Sequence, residues 1–543
     1  MESRIERTGL EEAAQLVGDV EALDLLANLV SIAPTNLEDP LQGRYEKPNY
    51  ARAVDRIVRA ARHFGLATRV YDPLVNGPPN PHLAGVPRPN VIVDLDVGRA
   101  DRTLILAHYD VVPVPAEQLA RWRSPPHTLT RRADGRLYGR GSNDDLGSGV
   151  IPALVAMRRL AMEGDSPRNV RLLVCCDEET GGEGGVESLK AHDDALPANA
   201  PDRFISGDVA LIPDGSPHAT SGSSGVLFLD ASFDRPVPLP DVLDYGDELV
   251  SLHDVAKRWK SRYASPDWPE HLAPEPVITG RATLTKFDVT GDGRGTHEVA
   301  LRAAHAEADA ANQIAEAVTL VFEGPSSQLA HLLDRVRGLV SPPYRVEPAA
   351  ATALVVPPGA LALQVLGQSA HGGYPHRGAN PVPAALAVLR KGIAAGWLDV
   401  STPVGASYSV DLRLIPEMPL DSGRDEVLSK ARRWIAGHEV AARLEAPPSR
   451  CRRGYALPPE HPQVRRLERI LRAEGGEAGT FGEYGGTDAS SLAEVLTPSG
   501  EPLPAIVFGS MDREAHIHEA EESIDPRLMG TVIRTIYRFL HEP

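Results

Sequence analysis

Val170-Arg171-Leu172-Leu173-Val174-Cys175-Cys176-Asp177-Glu178-Glu179-Thr180-Gly181-Gly182 reads as a short buried strand that runs into three carboxylates and stops at a glycine pair. A near-continuous apolar run of this length, bounded by turn residues, is the pattern of a strand covered on both faces. Working outward, Asn90–Leu95, Thr103–Ala107 and Val209–Ile212 repeat it. Between them lie helical stretches: Leu23–Val30 and Ala51–Phe64, with apolar residues three and four apart, and Ile151–Met162, apolar nearly all round. Strands alternating with helices predict an open, mostly parallel α/β sheet.

The pattern changes near residue 216. The stretch 233–247 is rich in Pro and Asp, and 253–275 carries Trp, Pro and scattered charge. Thr296–Phe322 reads as a long Ala-rich helix and Leu329–Val340 as another. Leu361–Gly367 and Ser407–Leu414 read as strands, with a helix over Ala384–Ala395 between them. After about 450 the first pattern returns, with a helix over Pro462–Ala473, a strand over Ala505–Gly509 and a closing helix over Pro526–Leu540. The expected organisation is therefore residues 1–215 and 451–543 as two parts of one domain, with 216–450 inserted as a second.

The chain has 543 residues, 42% of them hydrophobic, with 56 Lys+Arg against 74 Asp+Glu. A formal charge of −18 argues against nucleic acid or an anionic membrane as partner, since both need a basic footprint. No apolar run reaches the roughly 20 residues of a membrane span. The first residues, Met1-Glu2-Ser3-Arg4-Ile5-Glu6, lack the basic-then-apolar pattern of a secretory signal. Three cysteines, two of them adjacent at Cys175 and Cys176, make a poor disulfide set and suit a reducing cytoplasm.

Four strands end in polar clusters: the first at His108-Tyr109-Asp110, the second at Asp177-Glu178-Glu179, the third at Pro213-Asp214-Gly215, and the last before the loop holding His516, His518, Glu519, Glu521 and Glu522. In open α/β sheets, ligands bind beyond the carboxyl ends of strands, so these residues converge. Imidazole mixed with carboxylate suits zinc, whereas carboxylate alone favours harder ions. Residues i and i+2 of an extended chain face the same way, so Asp110 can orient the His108 ring. Adjacent carboxylates such as Glu178 and Glu179 repel unless a cation sits nearby. One of the pair can then ligate metal while the other takes a proton from water. Leu137-Tyr138-Gly139-Arg140-Gly141-Ser142-Asn143-Asp144-Asp145 is a Gly-rich approach to a helix. It lacks the P-loop lysine, and its aspartates would repel phosphate, which leaves a helix cap or a carboxylate bridging two metals.

These motifs, with Gly367-Gln368-Ser369-Ala370-His371-Gly372-Gly373-Tyr374-Pro375, Gly378-Ala379-Asn380, Val410-Asp411-Leu412-Arg413-Leu414-Ile415-Pro416, Gly485-Gly486-Thr487-Asp488 and His518 with Glu522, resemble a known family. It is the di-zinc metallopeptidase family of acetylornithine deacetylase, succinyl-diaminopimelate desuccinylase, aminoacylase, carboxypeptidase G and the carnosinase-type dipeptidases. The motifs stand in the family's order from about residue 100 onward. The resemblance implies a zinc-peptidase-like mixed sheet flanked by helices, with an inserted α+β lid domain. It implies two zinc ions, or cobalt or manganese, held by His108, Asp144, Glu179, Asp214 and His518, with Asp144 bridging. His518 is preferred over His516 because a Glu four residues on is part of the family pattern. Asp110 is implied as the orienting partner of His108, Glu178 as the general base, and His371 as the group that stabilises the oxyanion.

The implied activity is hydrolysis of an amide bond in a small substrate, a dipeptide or an N-acyl-amino acid. The chain departs from the family pattern at Leu146, where Lys is common, and at Ala489 and Ser490, where an Arg for the substrate carboxylate is common. Asn380, Arg377 and Arg413 are the remaining candidates for substrate contact. The enlarged lid is similar to that of monomeric dipeptidases, while the family more often dimerises through the lid. Asp rather than Glu at position 214 goes with amino- or dipeptidase activity. Two rivals are a phosphoesterase on similar ligands, disfavoured by the missing basic clamps, and a non-catalytic relative that kept the metal site.

Overall fold

The computed structural model describes residues 2–35, 49–77, 85–114, 116–197, 200–264, 277–279, 281–291, 298–307, 313–349, 354–371, 378–438, 442–446, 451–477 and 479–542. The chain forms two compact units. One comprises Met1–Ser223, Tyr455–Glu483 and Thr487–Pro543; the other comprises Ser224–Gly454 with Tyr484–Gly486.

The first unit is built on a nine-stranded mixed sheet. Its strands run in the order Ala67–Tyr71, Asn90–Leu95, Asn169–Cys175, Arg102–His108, Val209–Ile212, Ala505–Val507, Ala219–Ser223, Tyr455–Ala456, and Thr480–Glu483 pairs beside Ala219–Ser223. The centre is parallel: His108 lies opposite Cys175, Thr103 opposite Val209, and Ala505 opposite Ala210. The flanks are antiparallel, so the sheet is mixed rather than mostly parallel. Side chains alternate between two cores, as strand geometry requires. Ile105 and Ala107 join the core under the Val20–Ile32, Tyr50–His63, Ile151–Glu163 and Pro526–His541 helices. Leu104 and Leu106 join the core on the other face with Val186 and Leu189.

The helices form where apolar spacing and caps agree. Tyr50–His63 buries Tyr50, Ala53, Val54, Ile57 and Ala61, one stripe at spacings of three and four. Asp19 caps Val20–Ile32 by accepting from the Ala22 N–H, and Asp525 caps Pro526–His541 with Pro526 at its first position. Leu154 is fully buried in the Ile151–Glu163 helix. Leu154→Ala should cost about 2–5 kcal/mol through lost transfer energy and a residual cavity, read as a lower midpoint in chemical denaturation.

The second unit carries a ten-stranded sheet, largely antiparallel, with Val404–Arg413 between Arg281–Gly291 and Val226–Phe233. The Leu239–Ala256 and Pro381–Ala394 helices pack against it. The long helix expected over Thr296–Phe322 is not formed. Val299–Glu307 and Ala317–Glu323 are antiparallel strands, with Ala304 opposite Leu320. Helix propensity, alanine's included, is overridden by tertiary context, and here alternation decides: Leu301, Ala304 and Ala306 are buried while Arg302 and His305 stay more open. The helix expected over Leu329–Val340 is reduced to the short pieces Ser326–Leu329 and Leu332–Arg337.

Candidate metal centre

At the carboxyl ends of the parallel strands, two groups of three donors come together: His108, Asp144 and Asp214, then Asp144, Glu179 and His518. Asp144 belongs to both. His108 Nε2 lies 3.0 Å from Asp144 Oδ1 and 4.0 Å from Asp214 Oδ2. His518 Nε2 lies 3.1 Å from Asp144 Oδ2 and 2.9 Å from Glu179 Oε2. The two imidazoles thus approach opposite oxygens of one carboxylate.

Each residue is held from behind. His108 Nδ1 donates to the Asp110 carbonyl oxygen at 3.0 Å, a group that can only accept, so the neutral ring would present its Nε2 lone pair to a cation in the cluster. The Asp110 carboxylate is farther from the ring, at 3.4 Å. Its two oxygens instead accept the backbone N–H groups of Glu178 and Glu179, each at 3.2 Å. Asp110 therefore ties the His108 strand end to the Glu178–Thr180 turn, a wider role than orienting one ring. Asp177, at a positive φ of 59°, is anchored by Arg88 at 2.7 Å and by the Tyr50 hydroxyl at 3.0 Å. Ser148 donates to the Pro213 carbonyl at 2.6 Å and accepts from the Ser510 N–H at 3.0 Å, which places Asp214 beside the last loop. Only glycine fits at Gly509, where a Cβ would lie 2.4 Å from the Gly215 carbonyl oxygen.

The electrostatics show a shortage of positive charge. Burial pushes Glu179 up to about 7. Burial, reinforced by the neighbouring Asp144, raises Asp214 well above the ordinary carboxylate range. Burial opposes charge on both imidazoles, yet their hydrogen bonds and carboxylate neighbours win and raise His108 and His518 well above the ordinary histidine value. Burial alone would raise Asp144 too, but hydrogen bonds from both histidines hold it well below the usual range. Glu179 Oε1 is buried and accepts no hydrogen bond. A cluster that must hold protons to balance itself, with a buried carboxylate oxygen left over, fits divalent cations.

His516, the rival of His518, is 44% exposed on its side chain and pairs with Glu519 at 3.7 Å, outside the cluster. Glu178 sits in the turn beside Glu179 but belongs to neither group of three. In the second unit, His371 ends the Ala370–His371 strand opposite Gln313; its side chain lies outside the described residues, as does all of Arg377. Asn380 caps the Pro381–Ala394 helix and donates to the Leu284 carbonyl at 2.8 Å. Arg413 is buried, with its fork on the Asp411 carboxylate at 2.7 and 2.8 Å. Sequence reasoning missed the supports Arg88 and Tyr50 for Asp177 and Ser148 for the Asp214 loop, and it named Glu522 without its role. Glu522 accepts from Arg140 at 2.8 Å and from the backbone of Gly141, Asn143 and Asp144 at 3.0–3.2 Å. Its spacing from His518 was the one available signal.

Two donor triads sharing a carboxylate, set at the ends of parallel strands, define an α/β protein with a metal-binding centre. The description "Peptidase family M20/M25/M40" matches residues 104–542, and the chain belongs to that family. It is 40% identical over 119 residues to a cysteinylglycine-S-conjugate dipeptidase of Corynebacterium striatum, covering 22% of this chain and 24% of that protein. It is 30% identical over 217 residues to an uncharacterized metallohydrolase of Methanocaldococcus jannaschii, covering 38% and 48%. The matched segments thus span less than half of these curated relatives. The crystal structure of human carnosine dipeptidase 1 shares the fold, with a TM-score of 0.60 at 15% identity over 98% of both chains. Among the described residues, no helix is long and apolar enough to cross a membrane.

Proposed function

We propose that the protein is a metal-dependent hydrolase of amide bonds in small substrates, a dipeptide or an N-acyl-amino acid. The observation that carries this reading is the pair of donor triads joined through Asp144. Family membership supports it, as does the dipeptidase named among the relatives. His108, Asp144 and Asp214 would hold one divalent cation, and Asp144, Glu179 and His518 the other, zinc being the best match to this donor set. When bound, such ions polarise a carbonyl and lower the pKa of water.

The chain's own residues do the rest. Glu178 takes the proton from the attacking water and returns it to the leaving amine. Asp110 keeps Glu178 in place by holding its backbone N–H. His371 is assigned to the oxyanion by its motif, with Asn380 and Arg377 as substrate contacts; Arg413, already forked on Asp411, braces the sheet. All three cysteines are free thiols, which suits a reducing compartment.

The test is metal analysis of the purified protein beside a panel of dipeptides and N-acetyl-amino acids. About two ions per chain, with cleavage of one class abolished by chelator and restored by zinc, cobalt or manganese, is the expected result. Protein that binds no metal and cleaves nothing would sink the reading. Chelation should also lower the melting temperature, because ligand-free carboxylates repel. Free metal at 1,000 times its Kd should restore roughly 4 kcal/mol.

A further inference from the structure

We infer that Gln118 is a positioning residue for the second metal position, acting through the backbone of His518. The inference rests on the reading of His518 as a ligand. His518 has a φ of 65°, in the left-handed region that residues with a side chain rarely occupy, and Glu521 in the same loop has a φ of 71°. Such a conformation persists only where the surroundings over-determine it. Gln118 is 3% exposed, on the short Ala116–Leu119 helix, and far from His518 in sequence. Its Nε2 donates to the His518 carbonyl at 2.9 Å, and its Oε1 accepts from Arg140 Nη2 at 2.8 Å.

The orientation of this amide is forced. Arg140 can only donate and the carbonyl can only accept, so Oε1 must face the guanidinium and Nε2 the backbone. The same guanidinium donates to Glu522 at 2.8 Å and to the Glu519 carbonyl at 3.2 Å. Glu522 in turn accepts the Asn143 and Asp144 N–H groups at 3.0 and 3.2 Å. One buried arginine thus fixes two of the three donors of the second triad: Asp144 through Glu522, and His518 through Gln118. Among the described residues the Gln118 side chain bonds only His518 and Arg140; Asp144, which the two triads share, is held through Glu522, so a change at Gln118 falls first on His518.

The test is calorimetric titration of the full chain, stripped of metal, with zinc alone. The proteins compared are the parent, Gln118→Glu, Gln118→Met and His518→Ala. Glu keeps the bond to Arg140 and loses the donor to His518; Met keeps the bulk and loses both. The expected result is that the zinc equivalent abolished in His518→Ala is weakened about 10- to 100-fold in both Gln118 variants, the usual effect of outer partners of a ligand. The other equivalent and the metal-free melting temperature should hold. Loss of that equivalent in His518→Ala, with parent-like titrations for Gln118→Glu and Gln118→Met, overturns the inference and leaves the reading of the site standing. Two full equivalents in His518→Ala overturn the ligand reading and the inference with it. A joint weakening of both equivalents with a lower metal-free melting temperature assigns Gln118 a purely structural role and also overturns the inference.

Discussion

Asp144→Ala is expected to lose bound metal from both positions, the largest single effect in the molecule. Its two oxygens meet the two imidazoles at 3.0 and 3.1 Å, so no other side chain serves both triads. Loss of an outer partner alone costs about 10- to 100-fold in metal affinity, and loss of a shared donor should exceed that. The backbone of residue 144 stays anchored, because Glu522 accepts its N–H whatever the side chain. The change should therefore empty the site while circular dichroism stays near that of the parent. Metal content measured on the purified variant decides it: parent-like content would reduce Asp144 to a capping residue.

Glu178→Ala is expected to do the opposite, keeping the metal and losing the rate. Glu178 is outside both triads, and the turn that carries it is set by Asp110 and by the Gly182 N–H donating to the Asp177 carbonyl at 2.6 Å. General-base catalysis contributes about 10²- to 10⁴-fold, so kcat should fall at least about 10²-fold. KM should change little, because an interaction made only in the transition state is lost. Metal analysis and steady-state kinetics on one preparation separate this variant from Asp144→Ala. Full activity would remove Glu178 from the mechanism.

The parts of the site that sequence reveals are those whose chemistry is unusual where they stand. A histidine or a carboxylate pair at the end of an apolar strand has no reason to be there in a core, so His108, Glu178, Glu179 and Asp214 stand out. Gln118 and Ser148 do not, because glutamine and serine are ordinary anywhere and the groups they meet in the last loop, the His518 carbonyl and the Ser510 N–H, lie hundreds of residues away. The catalytic unit's strands and helices were legible because period and composition agree there. Thr296–Phe322 was misread because alanine carries little periodic signal on its own. Only Arg302 and His305, on the less buried side of a strand, mark the alternation.

The position of Ala505–Val507 in the first sheet bears on how the chain is made. It lies between Val209–Ile212 and Ala219–Ser223, so the strand carrying the chain into Asp214 lacks this neighbour until synthesis has reached residue 507. At about 5–20 residues per second, the ribosome adds the intervening 290-odd residues in roughly 15–60 seconds. Throughout that interval Val209-Ala210-Leu211-Ile212 is an open apolar edge, the template on which chains aggregate. His518 is still later, so until then the first donor triad can be complete and the second cannot.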